Sequence, residues 1–180
     1  KEKGIRTVFQ SIEDPSNYSV FIEIAKAADY IFTSCIEVVD DYKKDTCNQN
    51  VFVLDYGINP LLHNPIGIFN NRLIDERIYN KGSIFFAGSW APRYKERCED
   101  MCMIFDGVIN SSNSNLVIAD RNMNIKGYTF PYKYMKYIIP PIDHTKLQKV
   151  HKLFTWTINI NSIKNSRTMC AMRIYEVQAL

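Results

Sequence analysis

The sequence contains no hydrophobic run that approaches the ~20 residues of a membrane-spanning helix. Its first ten residues also lack the apolar stretch of a secretory signal peptide. Lys and Arg together number 22 against 19 for Asp and Glu, and the basic residues are scattered among acidic ones. These absences argue against an integral membrane protein, a secreted precursor and a dedicated nucleic-acid binder, which carries a concentrated basic face.

The cysteines do not form a disulfide framework. There are five of them, an odd number, and their spacing follows no framework pattern. Cys98 and Cys102 lie one helical turn apart, and no second Cys or His pair follows at zinc-finger spacing. We predict that both are packing residues, and that reduced thiols indicate a cytoplasmic protein, either free or peripheral to the inner membrane face.

Motifs for metal or nucleophilic catalysis are missing as well. The sequence has no Asp-x-Asp motif, the pattern that would suggest a metal-bound sugar diphosphate. Its histidines form no Ser-His-Asp or Cys-His set. His144 and His151 are interpreted as surface or boundary residues, whereas His63 lies in a Leu-His-Asn-Pro segment that could line a cleft. We therefore expect neither a metal nor an organic cofactor.

Short strand-like runs alternate with helical patterns, which is typical of an α/β fold. In the first half, Asp14 is expected to cap a helix that has Pro15 at its first position. Glu37 begins a second short helical pattern. The strands of this half are predicted at residues 5–9, 30–33 and 51–54.

The second half repeats the alternation and fits a Rossmann-like sheet. Asp143 and Ser166 are the predicted caps of its last two helices. Its strands are predicted at residues 83–87, 116–119 and 156–160, and its first helix at 94–109. The predicted domains are 1–66 and 82–180, joined by a linker at 67–81 that is rich in Asn and lacks a clean period.

Ligands of such sheets bind at the carboxyl ends of the strands, which makes residues 88–90, 120–122 and 161–168 candidates. Gly88 would let backbone N–H groups approach a phosphate, with Arg93 and Lys95 adding positive charge. The alternative is a tight turn before an exposed basic helix start.

Arg173 and Glu176 lie three residues apart and share a helix face. Either they form a local surface ion pair, or Glu176 accepts hydrogen bonds from ribose hydroxyls while Arg173 pairs with diphosphate oxygens. The residues alone leave both alternatives open.

In order along the chain, these segments resemble the CgeB-like glycosyltransferases, a family named for a spore maturation protein. Residues 85–90 and 94–100 resemble the family's "FAGSY…YPERC.D", and residues 120–122 resemble its "YDRN". Further matches are "LNVNSVxxS" at 158–166, "TMFARRVFE" at 168–176, "KEDP" at 12–15, "DYIFTT" at 29–33 and "HNP" at 63–65.

The resemblance implies a GT-B glycosyltransferase, in which two Rossmann-like domains face each other across a cleft and no metal is needed. The chain would hold a partial N-terminal, acceptor-side domain and most of the C-terminal domain that binds the nucleotide-sugar donor. Implied donor-binding residues are Gly88, Ser89, Arg93, Lys152, Arg173 and Glu176, the last matching the ribose-binding glutamate. The catalytic base is unassigned, with Glu13 and His63 as candidates because they could face the cleft; Asp14 could as well, although a helix cap explains it equally.

The sequence also departs from the family pattern. Thr168 stands where many retaining GT-B enzymes have a second glutamate, and Arg167 stands where the CgeB-like family usually has Pro. The chain ends before the family's Gly-Thr-Pro turn, so we expect a fragment or a truncated member that could be inactive alone. The expected partners are a nucleotide sugar and a glycan, protein or lipid-linked acceptor of the cell surface or spore coat. Two alternatives remain: a non-catalytic nucleotide-sugar or carbohydrate-binding module, and a purely structural interaction protein.

Overall fold

The computed structural model describes residues 4–66, 83–111 and 115–180. The chain divides into two compact units: Lys1–Gly57 with Ile163–Met172, and Ile58–Ser162 with Arg173–Leu180. The sequence analysis assigned all of 82–180 to one domain, whereas residues 163–172 group with the first unit. The predicted linker at 67–81 lies outside the described residues.

The first unit is built on a three-stranded parallel sheet in the order β1-β2-β3. The three predicted strands are present, with the first shifted toward the carboxyl side. A 3₁₀ turn at Ile36–Val38 leads into the second helix. The elements are β1 Val8–Ser11, α1 Tyr18–Ala25, β2 Tyr30–Thr33, α2 Val39–Thr46 and β3 Val51–Val53. Their shared core consists of Ala25, Ala28, Ile31, Cys35, Val38, Tyr42 and Val51.

Asp14 does not cap the first helix, so that prediction is wrong. Helix α1 begins at Tyr18 with Asn17 at its N-cap. The Asp14 side chain is fully buried, and its carboxylate accepts hydrogen bonds from the Thr33 hydroxyl at 2.6 Å and from the Tyr42 hydroxyl at 3.2 Å. The partners of Asp14 are therefore two hydroxyl groups that the tertiary fold places beside it. They take the place of the backbone N–H groups of a helix end.

Residues 163–172 attach to the first unit through polar contacts. The Glu37 carboxylate accepts hydrogen bonds from Cys35 Sγ at 3.0 Å and from Ser166 Oγ at 3.1 Å. The backbone N–H of Ile36 donates to Thr168 Oγ1 at 2.8 Å. Ser166 also accepts from the backbone N–H of Met169 at 2.9 Å, but no helix follows there. The prediction that Ser166 caps the last helix is therefore wrong, because that helix begins only at Arg173 and Ser166 bonds to Glu37 and to the backbone of Met169 instead.

The second unit has a four-stranded parallel sheet in the order β6-β5-β4-β7. Counted along this unit, the strands are third, second, first and fourth. This is the order of a doubly wound half-sheet, in which the chain reverses direction between β4 and β7. The elements are β4 Ser83–Gly88, α3 Lys95–Asn110, β5 Asn115–Asp120, β6 Ile138–Ile139, α4 His144–His151, β7 Trp156–Thr157 and α5 Arg173–Gln178.

Helices cover both faces of this sheet, as a parallel sheet requires. Alternate β4 residues serve the two faces: Phe86 packs with Met101 and Phe105 of α3, whereas Phe85 packs with Val150 of α4. The expected α/β class with parallel sheets is confirmed and is compatible with a Rossmann-like fold. Strand β6 was not predicted, and β7 is shorter than the predicted 156–160.

Two local predictions in this unit are confirmed. Asp143 caps α4, with its carboxylate accepting from the backbone N–H of Thr145 at 2.8 Å. Cys98 is buried in the core beneath α3, and Cys102 packs against that core. Within the described ranges, no helix combines the length and apolar character needed to cross a membrane.

Candidate anion-binding site

The candidate site begins at the carboxyl end of β4, where Gly88 is the last strand residue. Its carbonyl accepts from the backbone N–H of Arg121 at 2.8 Å, which joins the ends of β4 and β5. A Cβ atom on residue 88 would lie 2.7 Å from Cζ of Phe86, a ring that is only 1% exposed. Glycine suits this position because a Cβ atom would clash with the buried Phe86 ring and force it to shift.

A small cavity opens beside this strand end. One wall is apolar, and the glycine backbone and two arginines supply the polar part. The lining residues are Ala87, Gly88, Ala119, Arg121, Pro141, Ile142, Leu147 and Arg173. A guanidinium beside an apolar surface interacts more strongly with an anion than it would in bulk water, because the local dielectric constant is lower.

Three arginines, far apart in sequence, meet around this strand end, and two are anchored by backbone carbonyls. Arg97 donates from Nη1 to the carbonyl of Ser89 at 2.9 Å and from Nε to the carbonyl of Ile160 at 3.4 Å. Arg173 donates from Nη1 to the carbonyl of Ala87. Carbonyl acceptors hold the guanidinium groups in place without neutralising their charge. The third, Arg121, is exposed and lines the cavity.

Among the described residues, acidic groups compensate the positive charges of Arg97 and Arg173 only in part. Burial is the main cause that lowers the pKa of Arg173; Arg121 and Arg97 lower it further, and Glu176 opposes them. Burial likewise lowers the pKa of Arg97, with Arg121 adding repulsion. The Nε atom of Arg173 is buried and has no hydrogen-bond partner among the described residues. Because arginine stays protonated, this arrangement favours binding of an anion.

Glu176 and His63 form a second, largely buried part of the site. Glu176 Oε1 lies 3.6 Å from His63 Nε2, and the two side chains are 13% and 5% exposed. The backbone N–H of Asn59 donates to His63 Nδ1 at 3.2 Å. The alternative of an exposed Arg173–Glu176 surface pair is therefore wrong, because both side chains are drawn into the protein.

His151 is buried, so its prediction as a surface or boundary residue is wrong. Its Nδ1 lies 3.1 Å from Thr157 Oγ1, and its ring packs edge-on against Phe85 at 5.1 Å. Burial lowers the pKa of His151 to about 3, with smaller contributions from Arg173 and His63. His151 is the last residue of α4 and lies on the face of that helix that packs against the sheet. Its burial therefore depends on how α4 packs, which the sequence pattern did not specify. The structure leaves His144 exposed, as predicted.

The structure brings Gly88 and Arg173 to one cavity. Ser89 is buried beside Gly88 and offers its carbonyl to Arg97. Glu176 lies one helical turn after Arg173 on α5.

The other predicted site residues have different surroundings. Arg93 is exposed, with its guanidinium 4.6 Å from the centre of the Tyr94 ring. Lys152 donates from Nζ to the carbonyl of Ile66 at 2.8 Å. Glu13 belongs to the first unit and is exposed there.

Sequence reasoning missed Arg97 and Arg121 as site residues. A signal for Arg121 was available, because it follows Asp120 in a segment marked as a strand end. Asp120 is 2% exposed, burial raises its pKa, and it accepts from the backbone N–H of Asn122 at 2.9 Å. The turn that this hydrogen bond closes directs the Arg121 side chain toward the cavity.

Among the described residues, no group of His, Cys, Asp or Glu is arranged to hold a metal ion. No family model matches the chain, and no curated protein matches it.

Proposed function

We propose that the second unit binds a nucleotide sugar and that the chain belongs to a metal-independent glycosyltransferase of the GT-B type. The observation that carries the proposal is the meeting of three arginines, Arg97, Arg121 and Arg173, around the glycine end of β4, where the last two line the cavity. Arg97 and Arg173 are fixed by backbone carbonyls, which keeps their charges oriented before a ligand arrives. Carboxyl ends of strands are also where doubly wound sheets bind nucleotides.

In this proposal Arg121 and Arg173 hold the diphosphate, since guanidinium groups match phosphate geometry. Their charge would stabilise the nucleoside diphosphate as it leaves the sugar, in place of a metal ion. Glu176 would accept hydrogen bonds from the ribose hydroxyls, because a carboxylate is a natural partner for a diol. The acceptor would be a glycan, protein or lipid-linked molecule, and positioning would supply much of the catalysis.

One observation favours the alternative of a nucleotide-sugar-binding module without turnover. Thr168 occupies the position at which many retaining GT-B enzymes have a second glutamate, and its hydroxyl accepts from the backbone N–H of Ile36 within the first unit. Threonine has no carboxylate, and the hydroxyl of Thr168 is engaged in this structural contact. The donor sugar would therefore lack the contact that the second glutamate makes. Binding without transfer is the outcome that this second candidate predicts.

Calorimetric titration with a panel of uridine, guanosine and thymidine diphosphate sugars tests the proposal, with donor hydrolysis and transfer measured in parallel. Arg121→Gln is the informative variant because this side chain is exposed and lines the cavity. We expect it to weaken binding about tenfold or more through loss of a charge-assisted contact. Arg6→Gln is the matched control, because it removes the same charge from an exposed arginine of the first unit that belongs to none of the candidate ligand segments.

Binding with turnover would support the glycosyltransferase, and binding without turnover would support the module. The proposal is rejected if the native chain binds no nucleotide sugar, or if the two variants lose affinity equally.

A further inference from the structure

The surroundings of His63 determine which of its ring nitrogens carries the proton. The backbone N–H of Asn59 donates to Nδ1 at 3.2 Å, and the backbone N–H of His63 donates back to the carbonyl of Asn59 at 2.7 Å. An atom that accepts an N–H has its lone pair in that bond. In the neutral ring the proton therefore resides on Nε2.

The Nε2–H group has one carboxylate in front of it. Glu176 Oε1 lies 3.6 Å away, which is just longer than a hydrogen bond, and Nε2 is buried with no hydrogen-bond partner among the described residues. A small rotation of the Glu176 side chain would close this gap. A buried donor without a partner is unfavourable, so the pair has a physical reason to close.

The Glu176 carboxylate lies between two kinds of donor. Arg173, three residues earlier on α5, attracts it electrostatically, and His63 faces it from the segment 58–66 of the same unit. His151 on α4 completes the group, because Arg173 and His63 both contribute to lowering its pKa. The carboxylate can therefore turn toward Arg173 or toward His63, and a hydrogen bond from His63 would fix one of these two orientations.

We propose that His63 is a positioning residue, whose Nε2–H orients the Glu176 carboxylate so that its remaining lone pairs can receive the ribose diol of a nucleotide. This inference rests on the proposed function. It also gives His63 a role other than catalytic base: Nδ1 is occupied by the Asn59 amide and Nε2 carries the proton, so the neutral ring has no free basic nitrogen.

A matched pair of variants separates the two ring nitrogens. His63→Gln carries a side-chain N–H donor near the position of Nε2, whereas His63→Asn keeps an acceptor near the position of Nδ1 but loses that donor. Each variant is titrated with three ligands: a nucleoside diphosphate, its 2′,3′-dideoxy analogue and inorganic pyrophosphate. Circular dichroism and a melting curve establish that both variants fold.

We expect His63→Asn to weaken binding of the nucleoside diphosphate about tenfold, with little change for the dideoxy analogue or for pyrophosphate. His63→Gln should stay close to the native affinity for all three ligands. Equal losses for the diol and dideoxy ligands, or no loss in His63→Asn, would overturn the positioning role while leaving the proposed function intact. Failure of the native chain to bind the nucleotide would overturn both.

Nitrogen NMR of the native chain provides a readout that needs no ligand. We expect the His63 ring to be protonated at Nε2, with a signal that shifts in Glu176→Gln. A proton on Nδ1, or a ring signal that Glu176→Gln does not change, contradicts the inference.

Discussion

The two units carry charges of opposite sign near their sheets, acidic in the first unit and basic in the second. The two sets of charges differ in how far their hydrogen bonds are satisfied. In the first unit, the buried Asp14 carboxylate is satisfied by the hydroxyls of Thr33 and Tyr42, and Glu37 accepts from several donors. In the second unit, two partly buried arginines, Arg97 and Arg173, meet near Gly88, and Arg173 Nε has no hydrogen-bond partner among the described residues.

This difference separates structural charge from charge available to a ligand. A buried ionic group whose hydrogen bonds are complete stabilises the fold, and removing it leaves its partners unsatisfied. Like charges held together by backbone carbonyls repel each other, and that repulsion is relieved when an anion binds. The first unit therefore uses these acids for folding, whereas the proposed function assigns the arginines of the second unit to ligand binding.

The largest expected effect comes from removing the satisfied acid of the first unit. Asp14→Ala should lower the free energy of unfolding by about 3 kcal/mol or more, because it leaves two hydroxyl groups without their acceptor. Denaturant unfolding measures this loss. Asp40→Ala is the control, since that side chain is 96% exposed and lies 3.9 Å from Lys43; its cost should stay below about 1 kcal/mol. A cost for Asp14→Ala no larger than that of the control would break the comparison.

The next effect is the pH dependence that His151 confers on the second unit. The unfolded ring takes up a proton near its ordinary pKa of 6.5, whereas the folded ring resists protonation down to about 3. The unfolded state therefore binds more protons between these values, and the stability contributed by the neutral ring is present above 6.5 and lost as the pH falls. The slope attributable to this one residue is at most about 1.4 kcal/mol per pH unit.

His151→Gln should remove this contribution from the slope, as measured by unfolding at several pH values. His144→Gln is the matched control, because His144 is exposed on the same helix. If the native chain and His151→Gln show the same slope, burial of the ring has been misinterpreted.

The smallest effect is expected at Glu37, which is exposed on the first unit. The hydrogen bond from Cys35, followed by the backbone N–H of Arg167, lowers the pKa of Glu37 from 4.5 to about 2. Its contribution is therefore present above 4.5 and is lost as the pH falls toward 2. Glu37→Gln should lower the melting temperature slightly near neutral pH, and its difference from the native chain should shrink in acid. Glu23→Gln, a change at an exposed residue paired with Lys26, is the charge-matched control and should lower the melting temperature at neutral pH less than Glu37→Gln does.

Features that depend on neighbours in sequence were predictable. Alternating strand and helix patterns gave the α/β class, and Asp143 caps α4 because its partner Thr145 is two residues away. Asp14 and Ser166 have the same local character, yet their side chains bond to Thr33 and to Glu37. A propensity for helix capping is worth about 1 kcal/mol, which a buried tertiary contact overrides.

The candidate site was only partly predictable for the same reason. Gly88 and Arg173 could be selected from a strand-glycine turn and a helix pattern. Arg97 and Arg121 meet them only through the sheet order and the packing of α3, which periodicity does not specify. The Glu176–His63 contact joins residues more than a hundred positions apart, so no local pattern could have predicted it.

The most direct test of the account is a crystal of the chain soaked with a nucleoside diphosphate. The account predicts density for the diphosphate against Arg121 and Arg173 beside Gly88, with the ribose hydroxyls within hydrogen-bond distance of Glu176. Density for the nucleotide away from these side chains, or a cavity that stays empty at saturating concentration, would contradict it.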